Sequence, residues 1–128
     1  MKKNQFDAAW VKEEIKKVAR ALENMGLPIR FQQVTCVGVF RQDQKAMGQI
    51  TYDKKTKNFK IDLWQDLLDT GKNDYIDGVI AHELIHTCPH ALNHNLRFRH
   101  YLKKAKAEYP KARRFFGRKA MDAVFAEP

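Results

Sequence analysis

Between Tyr75 and Ile85 the chain places Ile76, Val79, Ile80, Leu84 and Ile85 three and four residues apart, and Pro89 follows shortly after. That spacing winds an apolar stripe along a helix, which must end before Pro89 because the proline ring removes a donor and clashes with the preceding turn. Asn73 or Asp74 supplies a side chain able to cap its start at Tyr75. This helix also carries His82 and His86. Residues four apart lie one turn above each other, so both imidazoles can address one point in space. No other feature constrains the fold so tightly: a helix apolar enough to be buried also holds two polar rings that need partners.

Glu83 completes the run His82-Glu83-Leu84-Ile85-His86, HELIH, an instance of HExxH. Two imidazoles one turn apart can bind a zinc ion at about 2.0–2.1 Å. Glu83 is rotated by about 100° from His82, too far round to be an equivalent ligand but able to reach a metal-bound water, which is where a general base belongs. A catalytic zinc site takes about three protein ligands, and His90, His94 and His100 are the candidates for the third. His90 directly follows Pro89, so extending the helix does not place it on the metal. His94 is separated from His86 by seven residues, enough for the chain to turn and return. His100 demands a different rotation of the following helix. Spacing favours His94 and leaves the other two open. Cys88 is close in sequence and is a soft donor, but it reads better as a small buried residue.

Around this helix the rest of the chain reads as one α+β domain, since 128 residues build a single core. Phe6 to Met25 has helical apolar spacing, with Gly26 and Pro28 as its stop. Ile29 to Leu63 is rich in β-branched and aromatic residues, which predicts strands over Phe31 to Phe40, Gly48 to Tyr52 and Phe59 to Leu63. Short polar connectors, Arg41 to Ala46 and Asp53 to Asn58, suggest an antiparallel meander. Trp64 to Thr70 is a helical turn or a loop, with Trp64 in the core. A further helix is expected over Asn93 to Glu108, and a last one within Lys111 to Phe125. The core then spans about 6–109, followed by a basic C-terminal extension over about 110–128.

The net charge of +9 is unevenly placed: Met1 to Cys88 carries 14 basic and 12 acidic residues, and Pro89 to Pro128 carries 10 and 3. A positive field over the last third attracts polyanions such as nucleic acid, single- or double-stranded DNA among them, or acidic lipid. Arg97 and Lys104 are candidate phosphate contacts, and Tyr109, Phe115 and Phe116 candidate stacking partners for bases. Two cysteines do not make a disulfide framework. No apolar run reaches the roughly 18 residues of a membrane span, and no secretory signal is visible. A cytoplasmic or nucleoid-associated protein with no membrane partner is expected.

The segment Ile80 to Phe98, IAHELIHTCPHALNHNLRF, resembles the core of the SprT-like (Spartan/SprT) zinc metallopeptidase family, in which an HExxH helix is followed by a loop, a third histidine and an aromatic four positions later. In this chain those last two positions are His94 and Phe98. The element order also resembles the family's, so the likeness extends over Phe6 to Tyr109 although only Ile80 to Phe98 is motif-specific. It implies a small zincin, minigluzincin-like: an N-terminal helix, a three-stranded antiparallel sheet, the HExxH helix, a following helix carrying the third ligand, and here a C-terminal basic helix. His82, His86 and His94 are then the Zn2+ ligands and Glu83 the general base acting on a zinc-activated water to cleave peptide bonds. Better-known members act on DNA-associated proteins. Asn95 stands where relatives often have glycine, a substitution asparagine tolerates by accepting unusual backbone angles, and the four-cysteine zinc ribbon of longer members is absent. Tyr101 or His100 is a candidate second oxyanion donor, and Asp62, Asp66, Asp69 and Asp77 are candidates for orienting the imidazoles. The alternative reading is a non-catalytic, zinc-stabilised nucleic-acid-binding module, in which Glu83 has no task. Base deamination is set aside because neither HxE nor PCxxC occurs.

Overall fold

A computed structural model describes residues 7–40, 48–112 and 117–126. Phe6, the Arg41 to Ala46 connector, Phe115 and Phe116 lie outside the described residues. Asp7 opens α1 (Ala8–Asn24) by accepting the Trp10 N–H at 2.9 Å. Val11, Ile15, Val18 and Leu22 line its buried face. Gly26, at φ +80°, ends the helix by letting the Gly26 and Leu27 N–H groups turn back onto the Glu23 and Leu22 carbonyls at 2.9 and 3.2 Å.

Three strands follow: β1 (Val34–Phe40), β2 (Gly48–Asp53) and β3 (Asn58–Trp64). β1 starts later than the sequence suggests because Phe31–Gln33 forms a 3-10 turn. Among the described residues the sheet has the order β1-β3-β2, with β2 antiparallel and β1 parallel to β3. The expected antiparallel meander is therefore corrected to a mixed sheet. Burial explains the order. Phe59, Ile61, Asp62, Leu63 and Trp64 of β3 are all buried, so this strand takes the centre, whereas β2 alternates between covered and open positions, as an edge strand does.

Trp64 leads into α2 (Gln65–Asp69), a short helix burying Leu67 and Leu68. α3 (Asn73–Ile85) comes next, with Lys72 as its N-cap residue and no side chain bonded there, so neither Asn73 nor Asp74 caps it. Every residue from Ile76 to Ile85 is buried, which marks α3 as a central helix covered on all sides. Gly48 allows its close approach to the sheet: a Cβ there would sit 2.9 Å from Leu63 Cδ2 and 3.3 Å from Val79 Cγ1. α4 (Leu96–Glu108) contributes Phe98, Tyr101 and Ala105 to the core, and a 3-10 turn over Tyr109–Ala112 follows. α5 (Arg118–Ala126) packs on α3 through buried Ala120, Met121 and Val124. The C-terminal segment is thus part of the same core as the HELIH helix. The fold is α+β, and no described helix is long and apolar enough to cross a membrane.

Between α1 and α3 lies a buried charged cluster. Asp77 is 2% exposed; Lys17 Nζ lies 3.4 Å from its Oδ2 and 3.0 Å from Glu14 Oε2, and Asn73 Nδ2 donates to the same Asp77 oxygen at 3.2 Å. Burial, and then the neighbouring Glu14 carboxylate, push the Asp77 carboxyl up to about 8. A carboxyl raised in the folded state holds a proton that the unfolded chain has released, so its contribution to stability falls as pH rises from about 4 through about 8. Asp77→Asn keeps the shape and a donor while removing the ionisation. It is expected to be more stable than wild type by about 1 kcal/mol or more above about pH 8, with the gap closing toward pH 5, as read from denaturant midpoints.

Candidate metal centre

His82 sits in the last turn of α3 and His86 is its C-cap residue, so the apolar packing of α3 fixes both backbones. His94 lies one residue before Asn95, the N-cap of α4, and therefore on the connecting loop and not in the following helix as expected. Asn95 ties that loop down twice: its Oδ1 accepts the Phe98 N–H at 2.9 Å and its Nδ2 donates to the His90 carbonyl at 3.0 Å. Its φ of −92° is ordinary, so capping, and not an unusual backbone angle, accounts for asparagine here. Within this loop the left-handed backbone is at His90, with φ +60°.

One ring nitrogen from each of His82, His86 and His94 lies within 4.8 Å of the others, and among the described residues no other His, Cys, Asp or Glu group has metal-holding spacing. His82 Nε2 and His94 Nε2 are 3.1 Å apart. Two nitrogens at tetrahedral positions about 2.0–2.1 Å from one zinc ion lie about 3.3 Å apart, so this pair already has the spacing of a ligand edge.

The opposite ring nitrogens decide the tautomers. His82 Nδ1 is 3.1 Å from the Val124 carbonyl and His86 Nδ1 is 2.7 Å from the Ala91 carbonyl. A carbonyl only accepts, so each Nδ1 carries the proton and each Nε2 keeps its lone pair for the cluster. Val124 lies in the last turn of α5, where carbonyls lack partners within the helix, and His82 satisfies one of them. Burial, opposed by these carbonyls, holds His82 and His86 down at about 4, so both rings are neutral at physiological pH, the form that binds metal.

Phe98 is the platform beneath the rings: it stacks on His86 at 4.0 Å and 11° and meets His82 and His94 at 5.1 and 5.0 Å between centroids. Glu83, 5% exposed, is buried on α3, between His82 and His86 in the chain. The fit to a divalent cation with a preference for nitrogen is good: three converging imidazoles, two of them with their second nitrogen already committed to a carbonyl.

Cys88 stands apart, 1% exposed, its thiol pushed up to about 12 by burial. Tyr101 is in the core and exposed His100 beside an outer groove with Leu96 and Arg99; neither belongs to the imidazole cluster. The Nδ1 partners of His82 and His86 are backbone carbonyls and not Asp62, Asp66, Asp69 or Asp77. Asp62 instead accepts from Gln49 and Asp69 from Gln65. No side-chain pattern could have named Val124 or Ala91, because every residue carries a carbonyl. His90→Gly and His100→Ala are expected to retain zinc at one ion per chain after gel filtration, measured by elemental analysis.

The chain matches no family model, no curated protein and no solved structure.

Proposed function

We propose that this chain is a zinc-dependent peptidase with a small zincin fold, similar to the SprT-like family, that acts on proteins associated with DNA. The observation that carries the reading is the convergence of three imidazole nitrogens, two from the end of the helix that also buries Glu83 and one from the loop that follows, with the Nδ1 protons of His82 and His86 held by carbonyls. Nitrogen-only donors suit zinc, whereas magnesium and calcium favour oxygen. When bound, zinc supplies Lewis-acid polarisation of a carbonyl and lowers the pKa of a coordinated water to about 7.

The chain's own residues do the rest. Glu83 accepts the proton of the attacking water and returns it to the departing amine nitrogen. Val124 and Ala91 hold the imidazoles in the Nε2-free tautomer. Phe98 fixes the tilt of the rings. In support of a DNA-linked substrate, Arg97, Arg99, Lys103, Lys104 and Lys106 are exposed along α4, whose N-cap adjoins His94. Tyr109 is half-buried against the core, so among the described residues phosphate contacts, and not stacking, are the main support for DNA binding.

The test is cleavage of a basic, unstructured protein by the zinc-loaded chain, with and without single-stranded DNA, before and after chelation. Cleavage that requires both zinc and DNA supports the reading in full. Cleavage without DNA keeps the peptidase and removes the DNA link. Retained zinc with no cleavage in any condition favours the binding module.

A further inference from the structure

A cavity of about 340 Å³ lies beside the imidazole cluster and shares His86 with it. Its walls include Tyr52, Phe59 and Leu92, and its one permanently charged lining residue is Arg30. The Arg30 backbone N–H donates to Thr87 Oγ1 at 2.9 Å, and Thr87 is fully buried in the turn that follows His86. That bond spans 57 residues and ties Arg30 to the liganding turn itself. The guanidinium lies over the Phe59 ring, 5.7 Å from its centroid, and Phe59 meets Tyr52 at 5.0 Å. Among the described residues Arg30 forms no ion pair, and no Asp or Glu lines the cavity.

A planar cation held on an aromatic face, with apolar walls around it and no acid to neutralise it, is suited to a carboxylate carried on a short apolar stem. We propose that Arg30 is a specificity-determining residue: the cavity it lines takes a carboxylate of the polypeptide substrate, from a Glu or Asp side chain near the scissile bond or from the chain terminus. Taking the ligand to be a polypeptide rests on the peptidase reading; the site itself rests on Arg30, Phe59 and the shared His86. The apolar walls take the methylenes of a glutamate, and the guanidinium donates two parallel N–H bonds to its carboxylate oxygens.

The test measures binding separately from turnover. Short neutral peptides in which one Glu, or one Gln in its place, is walked along the chain are titrated calorimetrically into zinc-loaded Glu83→Gln protein, each with a free and an amidated C-terminus. Cleavage of the same peptides by the wild type is followed in parallel. At one position Glu is expected to bind about tenfold or more tighter than Gln, or the free terminus tighter than the amide, as a charge-assisted pair gives. In Arg30→Gln that ratio is expected to fall to about one, with Arg30→Lys in between. Lys16→Gln, a charge change on the exposed face of α1, is expected to keep it, which separates a local pair from the overall positive field. Discrimination lost with Arg30 while no peptide is ever cleaved leaves the subsite standing and removes the peptidase. Equal binding of Glu and Gln at every position, with no effect of amidation, overturns the subsite whether or not cleavage occurs, as does discrimination that survives in Arg30→Gln.

Discussion

Glu83→Gln is expected to lower peptide hydrolysis by a factor of about 10²–10⁴, with zinc still bound at one ion per chain. The substitution is close to isosteric, and glutamine matches glutamate in helix propensity, so α3 and the imidazoles on either side keep their positions. What disappears is the ability to take a proton from water. Because Glu83 is 5% exposed, an amide there must find hydrogen bonds locally, which makes a stability check by denaturant part of the experiment. Initial rates on an unstructured basic protein, normalised to zinc content, give the result. An unchanged rate would show that the base lies elsewhere.

The second large effect falls on metal binding. In the wild type, zinc is expected to stabilise the folded chain by about 2.7 kcal/mol when its free concentration is about 100 times Kd. His86→Ala is expected to abolish that increment and also to destabilise the metal-free protein by about 2 kcal/mol or more, since it vacates a buried ring stacked on Phe98 and strands the Ala91 carbonyl. His94→Ala separates the two effects. His94 is exposed and on a loop, so its loss is expected to weaken zinc binding while leaving metal-free stability close to wild type. Thermal melts with a zinc series and with chelator measure both quantities. A zinc-dependent increment that survives in both variants would place the metal outside this cluster.

The residues that could be read from the sequence are those whose role depends on spacing along one element. His82 and His86 are four apart on a helix whose apolar periodicity is unmistakable, so their convergence was legible. His94 was narrower, chosen over His90 and His100 by loop length, and the structure brings it, and not them, to the cluster. Strand order was not legible, because alternation in β1, β2 and β3 says which face is buried but not which strand sits in the middle; the heavier burial of β3 settles that only in three dimensions. Nor was the role of α5 readable. Its positive charge suggested an extension, but Ala120, Met121 and Val124 pack it onto α3, and it contributes through a main-chain oxygen. Arg30 was invisible for the same reason: its distance from His86 along the chain gives no hint of the Thr87 bond that brings it beside the site.

X-ray absorption at the zinc edge of the loaded protein tests the proposed metal site most directly. Three nitrogen scatterers and one oxygen at about 2.0–2.1 Å, with imidazole multiple scattering that drops by one ring in His94→Ala, is the predicted result. A sulfur scatterer at about 2.3 Å would bring a cysteine into the shell and contradict the three-imidazole site, and an oxygen-only shell would contradict it as well.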